Sequence, residues 1–419
     1  MQTLIIGGGL IGLATARTLL ERGQGVRVLE AHDGVGLETS FANAGMLTPS
    51  MPEPWNGPGV HRHLAASLFR TSHSMQIRWR MIPSLARWGM SFLRNSTATR
   101  FYAAVEDNYR LATYSYDKTL ALTERLGLEF DLRDAGTLSL FQNAKHMEER
   151  RSICNRLHGL GMNSREVDRD EIVELEPSLA DVVHKYVGGI RLPDDASGDA
   201  HLFCRELAQA IIARGGEIDT GIRVSGLLVR SGKMVGVDTN RGRIDAERVV
   251  VAAGARSPEL LRIVGRLLPV KPAKGYSLTF DCKDLGNLPG VTIVDESSHV
   301  VVLRFGTRVR VVCAAEFAGF DKSISSLRVD HLFAALTSLL PRLAAGVDRE
   351  AAQAWAGLRP ISADGRPHIG AAGVDGLFVN SGHGALGWTM AMGSAHLLAD
   401  LILGIPTEID HRPFLPFRH

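Results

Sequence analysis

The stretch "TLIIGGGLIGLATARTLL", residues 3–20, decides the fold. Residues 3–6 form a short apolar run of the kind that becomes a buried parallel strand. Gly7, Gly9 and Gly12 follow in G-x-G-x-x-G spacing, and a helical pattern then runs toward Gly23. Gly7 permits the tight turn, Gly9 lets the backbone approach a pyrophosphate, and Gly12 lets the helix pack on the strand. The helix N-terminus, at Leu10 and Ile11, offers free N–H groups and a partial positive charge to phosphate oxygens. A second strand over residues 25–29 ends at Glu30, followed by Ala31. An acid there accepts hydrogen bonds from a ribose and repels a 2′-phosphate. Together these features indicate an adenine dinucleotide site, but they do not separate FAD from NAD.

The chain has 419 residues, enough for two domains. Its net charge of +2 gives no reason to expect nucleic acid. The four cysteines, Cys154, Cys204, Cys282 and Cys313, are far apart and form no C-x-x-C pair. That spacing argues against zinc, an iron–sulfur cluster or a disulfide framework, and fits a reducing compartment. The N-terminal apolar run is broken by glycines and lacks a basic flank, so it reads as fold, not signal peptide. No segment reaches the roughly 18 uninterrupted apolar residues of a spanning helix. The expectation is a cytoplasmic protein, soluble or peripheral on the inner face of the membrane. His61, His63 and His73 lack helical i, i+4 spacing, and no metal site is expected. Asp33, Glu38 and Asp364 read as solvated loop acids.

Nucleotide-domain features recur at separated places, which suggests interleaved domains. Residues 54 to about 145 read as mainly helical. From Val187, "GGIRLPDDASGDAHLFCRELAQAIIARGG" supplies a short strand, a polar turn and a helix, and three short strands follow. "RVVVAAGARSPELL" is strand, small-residue turn and helix, residues 268–325 are strand-rich, and residues 326–345 are helical. A second glycine-rich loop, Gly382 to Gly387, then feeds a helix expected to begin near Trp388. A nicotinamide enzyme needs one such loop. A flavin ring needs a second backbone cradle, and a helix N-terminus beside it stabilises the anionic reduced form. The expected cofactor is therefore FAD. The fold class is α/β: an FAD-binding Rossmann-like domain (1–53, 146–267 and 351–419) interleaved with an α+β substrate domain (54–145 and 268–350) containing an antiparallel sheet.

Six stretches carry a resemblance beyond this: the N-terminal fingerprint with Glu30, "TSFANAG" (39–45), "KGYS" (274–277), "LRF" followed by "AAEFAGFD" (303–321), "GLRPISADGRPHIG" (357–370) and "NSGHGALGWTMAMGSAHLLADL" (380–401). In this order they resemble the D-amino-acid oxidase-like flavoproteins, most closely the bacterial D-amino-acid dehydrogenase branch. Cys313 and Ala314 stand where that resemblance leads one to expect glycines. It implies oxidation of the Cα–N bond of an amino acid to an imine, which water hydrolyses to an oxo acid and ammonia.

The resemblance gives Arg359 the role of clamping a substrate carboxylate, for which a planar guanidinium is suited. Tyr276 is a candidate to add its hydroxyl to the same carboxylate. Arg304, in the alternating strand "VVVLRF", is a candidate to reach the site. His383, between Gly382 and Gly384, is expected near the flavin as a positioning group or proton acceptor. Hydride can leave Cα when the substrate amine is neutral, so orientation and electrostatics suffice and no base is required. The remaining cofactor contacts are expected from the backbone. Ser40, Asn43, Ala44, Gly45 and Met46 would pass beside the ring, and Val224 would hold the adenine edge. Ala253 and Gly254 would close the ribose–phosphate side. Gly384, Ala385, Leu386, Gly387, Trp388 and Thr389 would form the second cradle.

The main reading is an FAD-dependent dehydrogenase of a D-amino acid or a cyclic one such as a D-hydroxyproline, with a membrane quinone among the candidate acceptors. The alternatives are an oxygen-using oxidase of sarcosine or glycine type, a flavin-bearing relay subunit of a hetero-oligomer, and a hydroxy-acid or glycerol-phosphate dehydrogenase. Oligomeric state is left open. From Pro54 to Val105 there is no Asp or Glu, while Arg62, Arg70, Arg78, Arg80, Arg87, Arg94 and Arg100 all fall there. Within it Ile77, Met81, Leu85, Trp88 and Phe92 make one helical stripe with Arg80, Arg87 and Arg94 on a flank. That stripe reads either as core packing or as contact with an anionic membrane interface.

Overall fold

A computed structural model describes residues 2–61, 75–286 and 288–418. Gln2–Ile6 lies inside a six-stranded sheet ordered His368–Ala371, Leu377–Ser381, Val249–Val251, Gln2–Ile6, Gly25–Leu29, Glu217–Asp219. Every pairing is parallel except that of the edge strand His368–Ala371. Both faces are covered, which is why residues 3–6 show no polar alternation. Ile5 joins helices Leu10–Glu21, Ala200–Ala213 and Ala391–Leu403 in one core. Leu4 and Ile6 face the other way, onto the antiparallel strands Val224–Arg230 and Lys233–Thr239 and helix Ser257–Ile263. The Gly12 position shows how tight the first turn is: a Cβ there would stand 1.9 Å from the Gly7 carbonyl oxygen.

The second sheet has nine strands. Its order is Gln353–Ser362, Val270–Asp281, Arg308–Phe317, Val300–Phe305, Thr292–Asp295, Thr137–Phe141, Gly188–Leu192, Arg165–Val167, with Met75–Ile77 added in parallel to Arg308–Phe317. One face, carrying Leu278, Val302, Val309 and Val311, packs under helix Ser326–Leu339. The opposite face meets the first sheet's loops: Ser277 Oγ donates to Ala42 O (2.8 Å) and Arg310 Nη1 to Asn43 O (2.9 Å).

Sheet membership differs from the sequence expectation in three places. Thr137–Phe141 falls in the stretch read as helical, yet it is a strand with all five residues buried. Its sequence, TLSLF, alternates polar and apolar residues over too short a run to stand out inside a mainly helical stretch. Gly188–Leu192, expected in the nucleotide unit, pairs antiparallel with Thr137–Phe141. Gln353–Ser362, placed beyond residue 351 with the nucleotide unit, pairs along its whole length with Val270–Asp281. The last helix starts at Ala391, later than expected, because a 3-10 turn at Gly384–Leu386 intervenes.

Helix Ile82–Arg94 begins with Pro83 in its first turn, where a missing N–H costs nothing. The stripe read from the sequence turns inward. Trp88 and Phe92 are buried with Phe317 and Ile361, Ile77 and Leu85 pack beside them, and Trp88 Nε1 donates to Ile361 O at 3.1 Å. Core packing is therefore the correct reading for that stripe. Arg62, Arg70, His63 and His73 lie outside the described residues.

Two glycines give opposite expectations. Gly89, in helix Ile82–Arg94, has open space where a Cβ would go, so Gly89→Ala should stabilise the protein by up to about 1 kcal/mol. Gly12→Ala should destabilise it by at least about 1–3 kcal/mol. Thermal unfolding of both variants checks this; a Gly12→Ala protein that melts with the wild type contradicts the close packing.

Candidate active site

A cavity of about 1130 Å³ runs from the first sheet to the second. That exceeds the roughly 300–1,000 Å³ of ordinary small-molecule clefts, and suits a dinucleotide with a second molecule beside it. Its floor is the first turn. Gly9 and Leu10 line it at the helix N-terminus, where Leu10 N donates to Ser40 Oγ at 3.2 Å. Glu30 is 8% exposed and lines the same wall. Its carboxylate accepts from Gly8 N (2.7 Å) and His32 N (2.8 Å), so it is fixed in place at the end of its strand.

The loop over residues 39–46 is pinned from both sides. Besides the bonds from Ser277 and Arg310, Gly45 N donates to Asn43 Oδ1 at 2.9 Å, and a Cβ on Gly45 would collide with the Phe305 ring. Thr389 Oγ1 donates to Met46 O (3.2 Å) and accepts from Thr48 N (3.1 Å), tying this loop to the second glycine-rich loop. Trp388 Nε1 anchors that loop on Gly198 O at 3.1 Å. In the same loop His383 is buried, and its Nε2 has no hydrogen-bond partner among the described residues. Burial pushes its pKa down to about 3, so the imidazole is neutral through the working range.

At the other end of the cavity stands Arg359, on strand Gln353–Ser362. Its side chain keeps surface toward the cavity, while loss of bulk water lowers its pKa. Two neighbours shape its slot. A Cβ on Gly275 would lie 2.6 Å from the Arg359 Cζ, so only glycine leaves room. Trp55 lies with its ring centroid 5.7 Å from that Cζ, a cation–π distance. Trp355 crosses Gly357 in the same way, since a Cβ there would lie 2.1 Å from the indole.

Of the expected site residues, the cavity gathers Gly7, Gly9, Leu10, Ile11, Glu30, Ala31, Ser40, Asn43, Ala44, Gly45, Met46, Val224, Ala253, Gly254, Tyr276, Arg359, and His383 through Thr389. Gly12 is not in its wall; it sits beneath, against Gly7. Arg304 is not in it either. Val301 is the residue of strand Val300–Phe305 that lines the cavity, and strand alternation puts Arg304 on the opposite face with Val300 and Val302, its Nε donating to Gly306 O at 2.6 Å. Tyr276 reaches the wall, but its hydroxyl donates to Glu316 and burial raises its pKa. It is therefore engaged away from Arg359. Two acids read as solvated are not. Asp364 is 3% exposed and held by Arg418 through two bonds of 2.7 and 2.9 Å, and Glu38 is half-buried between His32 and Lys322. Asp33 is exposed.

Trp55, Trp355, Gly275 and Arg310 are the contributors the sequence reading missed. Trp355 and Arg359 lie four apart on one strand and so share a face, a period-2 signal present in the sequence. Trp55 comes from an irregular loop and had no such signal.

The chain matches the family model described as FAD dependent oxidoreductase, DAO, over residues 2–401. It is 39% identical to the D-amino acid dehydrogenase of Methylobacterium sp. (strain 4-46), covering 100% of this chain and 99% of the relative. It is 40% identical to the D-amino acid dehydrogenase of Methylobacterium nodulans (strain LMG 21967 / CNCM I-2342 / ORS 2060), over 98% and 97% of the two chains. Among solved structures, glycine oxidase from Geobacillus kaustophilus superposes with a TM-score of 0.76 at 25% identity, over 100% of this chain and 98% of that one. With a match over nearly its whole length and relatives of 39 and 40% identity covered end to end, the chain belongs to the DAO family of FAD-dependent oxidoreductases.

Proposed function

We propose that this flavoenzyme is a D-amino acid dehydrogenase, oxidising the Cα–N bond of a D-amino acid or of a cyclic D-imino acid such as a D-hydroxyproline. The observation that carries this reading is Arg359, a cation withdrawn from bulk water into the wall of the flavin cavity. Such a charge is stabilised by a carboxylate arriving in bidentate geometry, which a relay subunit would not need. The names of the similar dehydrogenases support the amino-acid class and the D hand.

The residues present fit FAD. Glu30 stands at the ribose end, glycine backbone lines the phosphate and ring paths, and His383 Nε2 is a buried polar atom available to a bound group. When bound, FAD supplies the two-electron acceptor for the Cα hydride. The protein's part is orientation. Arg359 fixes the carboxylate, Gly275 and Trp55 fix Arg359, and the Trp355 and Trp55 rings keep water from the reacting face. His383 is neutral, so it does not add charge beside the substrate amine. Loss of hydride and of the amine proton leaves an imine, which water converts to oxo acid and ammonia. The electrons pass to a quinone or another acceptor. Direct use of oxygen is the second reading, favoured by the likeness to glycine oxidase.

Anaerobic titration with D-amino acids, L-amino acids and cyclic imino acids tests the proposal. D-amino or cyclic D-imino acids should bleach the bound flavin; air should restore colour slowly and a quinone quickly. If no carboxylate-bearing amine bleaches it, the proposal fails.

Three substitutions test the site. Arg359→Lys should lower kcat/KM by two to three decades with the flavin spectrum unchanged, since truncating a buried bidentate partner costs several kcal/mol. Gly275→Ala should raise KM by displacing the same guanidinium while the protein still retains FAD. Glu30→Ala should lose FAD on dialysis, because a hydrogen bond to a charged group contributes about 1.5–3 kcal/mol. Full flavin retention in that variant excludes Glu30 as the ribose anchor.

A further inference from the structure

The loop over residues 318–325 leaves the large sheet at Phe317 and returns to it at helix Ser326–Leu339, yet its tip lies on the nucleotide unit. Phe320 and Lys322 line the cavity together with His32, Glu38 and Arg256. Lys322 Nζ donates to Glu38 Oε1 at 3.0 Å, and His32 Nε2 lies 2.7 Å from the same oxygen. On the other side, the Arg256 Cζ stands 4.6 Å from the centroid of the Phe320 ring, a cation–π distance. These two footholds flank the glycine turn. His32 and Glu38 follow strand Gly25–Leu29, Arg256 follows strand Val249–Val251, and Gln2–Ile6, which ends in the turn, runs between those strands. Gly36 N donates to Gly8 O at 2.9 Å, so the Glu38 side is itself tied to the turn. The loop therefore straddles the place where a pyrophosphate meets the first helix.

The two ends of the loop are fastened by charged side chains that take no part in the proposed chemistry. Lys274 is fully buried, and its Nζ donates to Ser323 O at 2.7 Å, with Asp321 at 3.8 Å and Glu316 at 3.9 Å. Arg78 Nε donates to Glu316 Oε1 at 2.6 Å, and its Nη1 bonds Asp321. A buried ammonium is costly unless such partners meet it, so the cluster holds the chain firmly at Glu316 before the tip and at Asp321 and Ser323 after it. Gly319, with φ +65°, makes the turn between. The tip is held differently. Lys322 is exposed and Glu38 only half-buried, and an ion pair in that setting contributes little. It can part while the roots stay in place.

We propose that residues 319–322 form a clasp over bound FAD, closing across its pyrophosphate and adenosine ribose. FAD enters and leaves when the Lys322–Glu38 and Phe320–Arg256 contacts separate. The glycine cradles and Glu30 belong to the nucleotide unit, whereas the clasp is supplied by the large sheet, so each side of the cavity contributes to cofactor retention. The clasp concerns the cofactor alone. It does not depend on which substrate is oxidised, so its failure leaves the amino-acid reading intact, and the reverse holds too.

The test is the rate of FAD exchange in the full chain. Release is followed as the fluorescence of freed FAD after dilution of the holoprotein, and uptake as its quenching when FAD is added to flavin-depleted protein. Lys322→Ala and Phe320→Ala should each speed both steps about two- to fivefold, and together about tenfold, because the clasp must open for entry as well as exit. Glu38→Gln should act like Lys322→Ala, and the pair combined should do no more than either alone. Raising salt should speed exchange in the wild type, and that response should vanish in Lys322→Ala, a change that a general loss of stability would not produce. Unchanged exchange in the Phe320→Ala/Lys322→Ala variant would overturn the clasp. So would faster release with uptake unchanged, which would assign a plain contact with the cofactor. Slower release in Glu38→Gln would also overturn it, by showing that Glu38 competes with a cofactor phosphate for Lys322.

Discussion

A backbone contact underlies the rest of the architecture. Gly12 lies so close to the Gly7 carbonyl that no side chain fits between them, and this closeness seats the first helix against its strand. The helix N-terminus then opens onto the cavity, with Glu30 locked beside it by two backbone donors. The large sheet approaches from the opposite side and contributes Arg359 to the wall. The loop over residues 39–46 is held between the two sheets by Ser277 and Arg310, so floor and wall keep a fixed separation.

The nucleotide half was legible because its constraints are local. Turn, helix start and acid follow one another within thirty residues, and Gly7, Gly8 and Gly12 each answer a steric demand of their neighbours. The second half was less legible, since its strands are assembled from distant segments. Thr137–Phe141 and Gly188–Leu192 are short and buried on both faces, and nothing in their composition says which sheet receives them. Gln353–Ser362 lies next to nucleotide elements in sequence but pairs with Val270–Asp281.

Side-chain direction accounts for the remaining differences. Arg304 sits in the expected strand, but one residue out of phase with the cavity face, and strand alternation puts it on the other side. Tyr276 is drawn into a polar cluster with Glu316, which its sequence neighbours do not announce. Helix Ile82–Arg94 carries apolar residues on two sides. The inward stripe is the one legible as a single helical face; the exposed one begins at Trp79 in the turn before the helix and is broken by Ala86.

Arg359 sets the chemistry of the far end of the cavity. A guanidinium in the cavity wall can take a carboxylate in bidentate geometry, and its setting between Gly275 and Trp55 leaves the cavity as the direction of approach. The most direct measurement is a titration of the FAD-loaded protein with an α-methyl D-amino acid, which has no Cα hydrogen to lose, and with its amide, reading the bound-flavin absorbance. The carboxylate should perturb the spectrum saturably, the amide should bind at least a hundredfold more weakly, and Arg359→Ala should abolish the difference. Equal affinity of carboxylate and amide for the wild type would contradict the account.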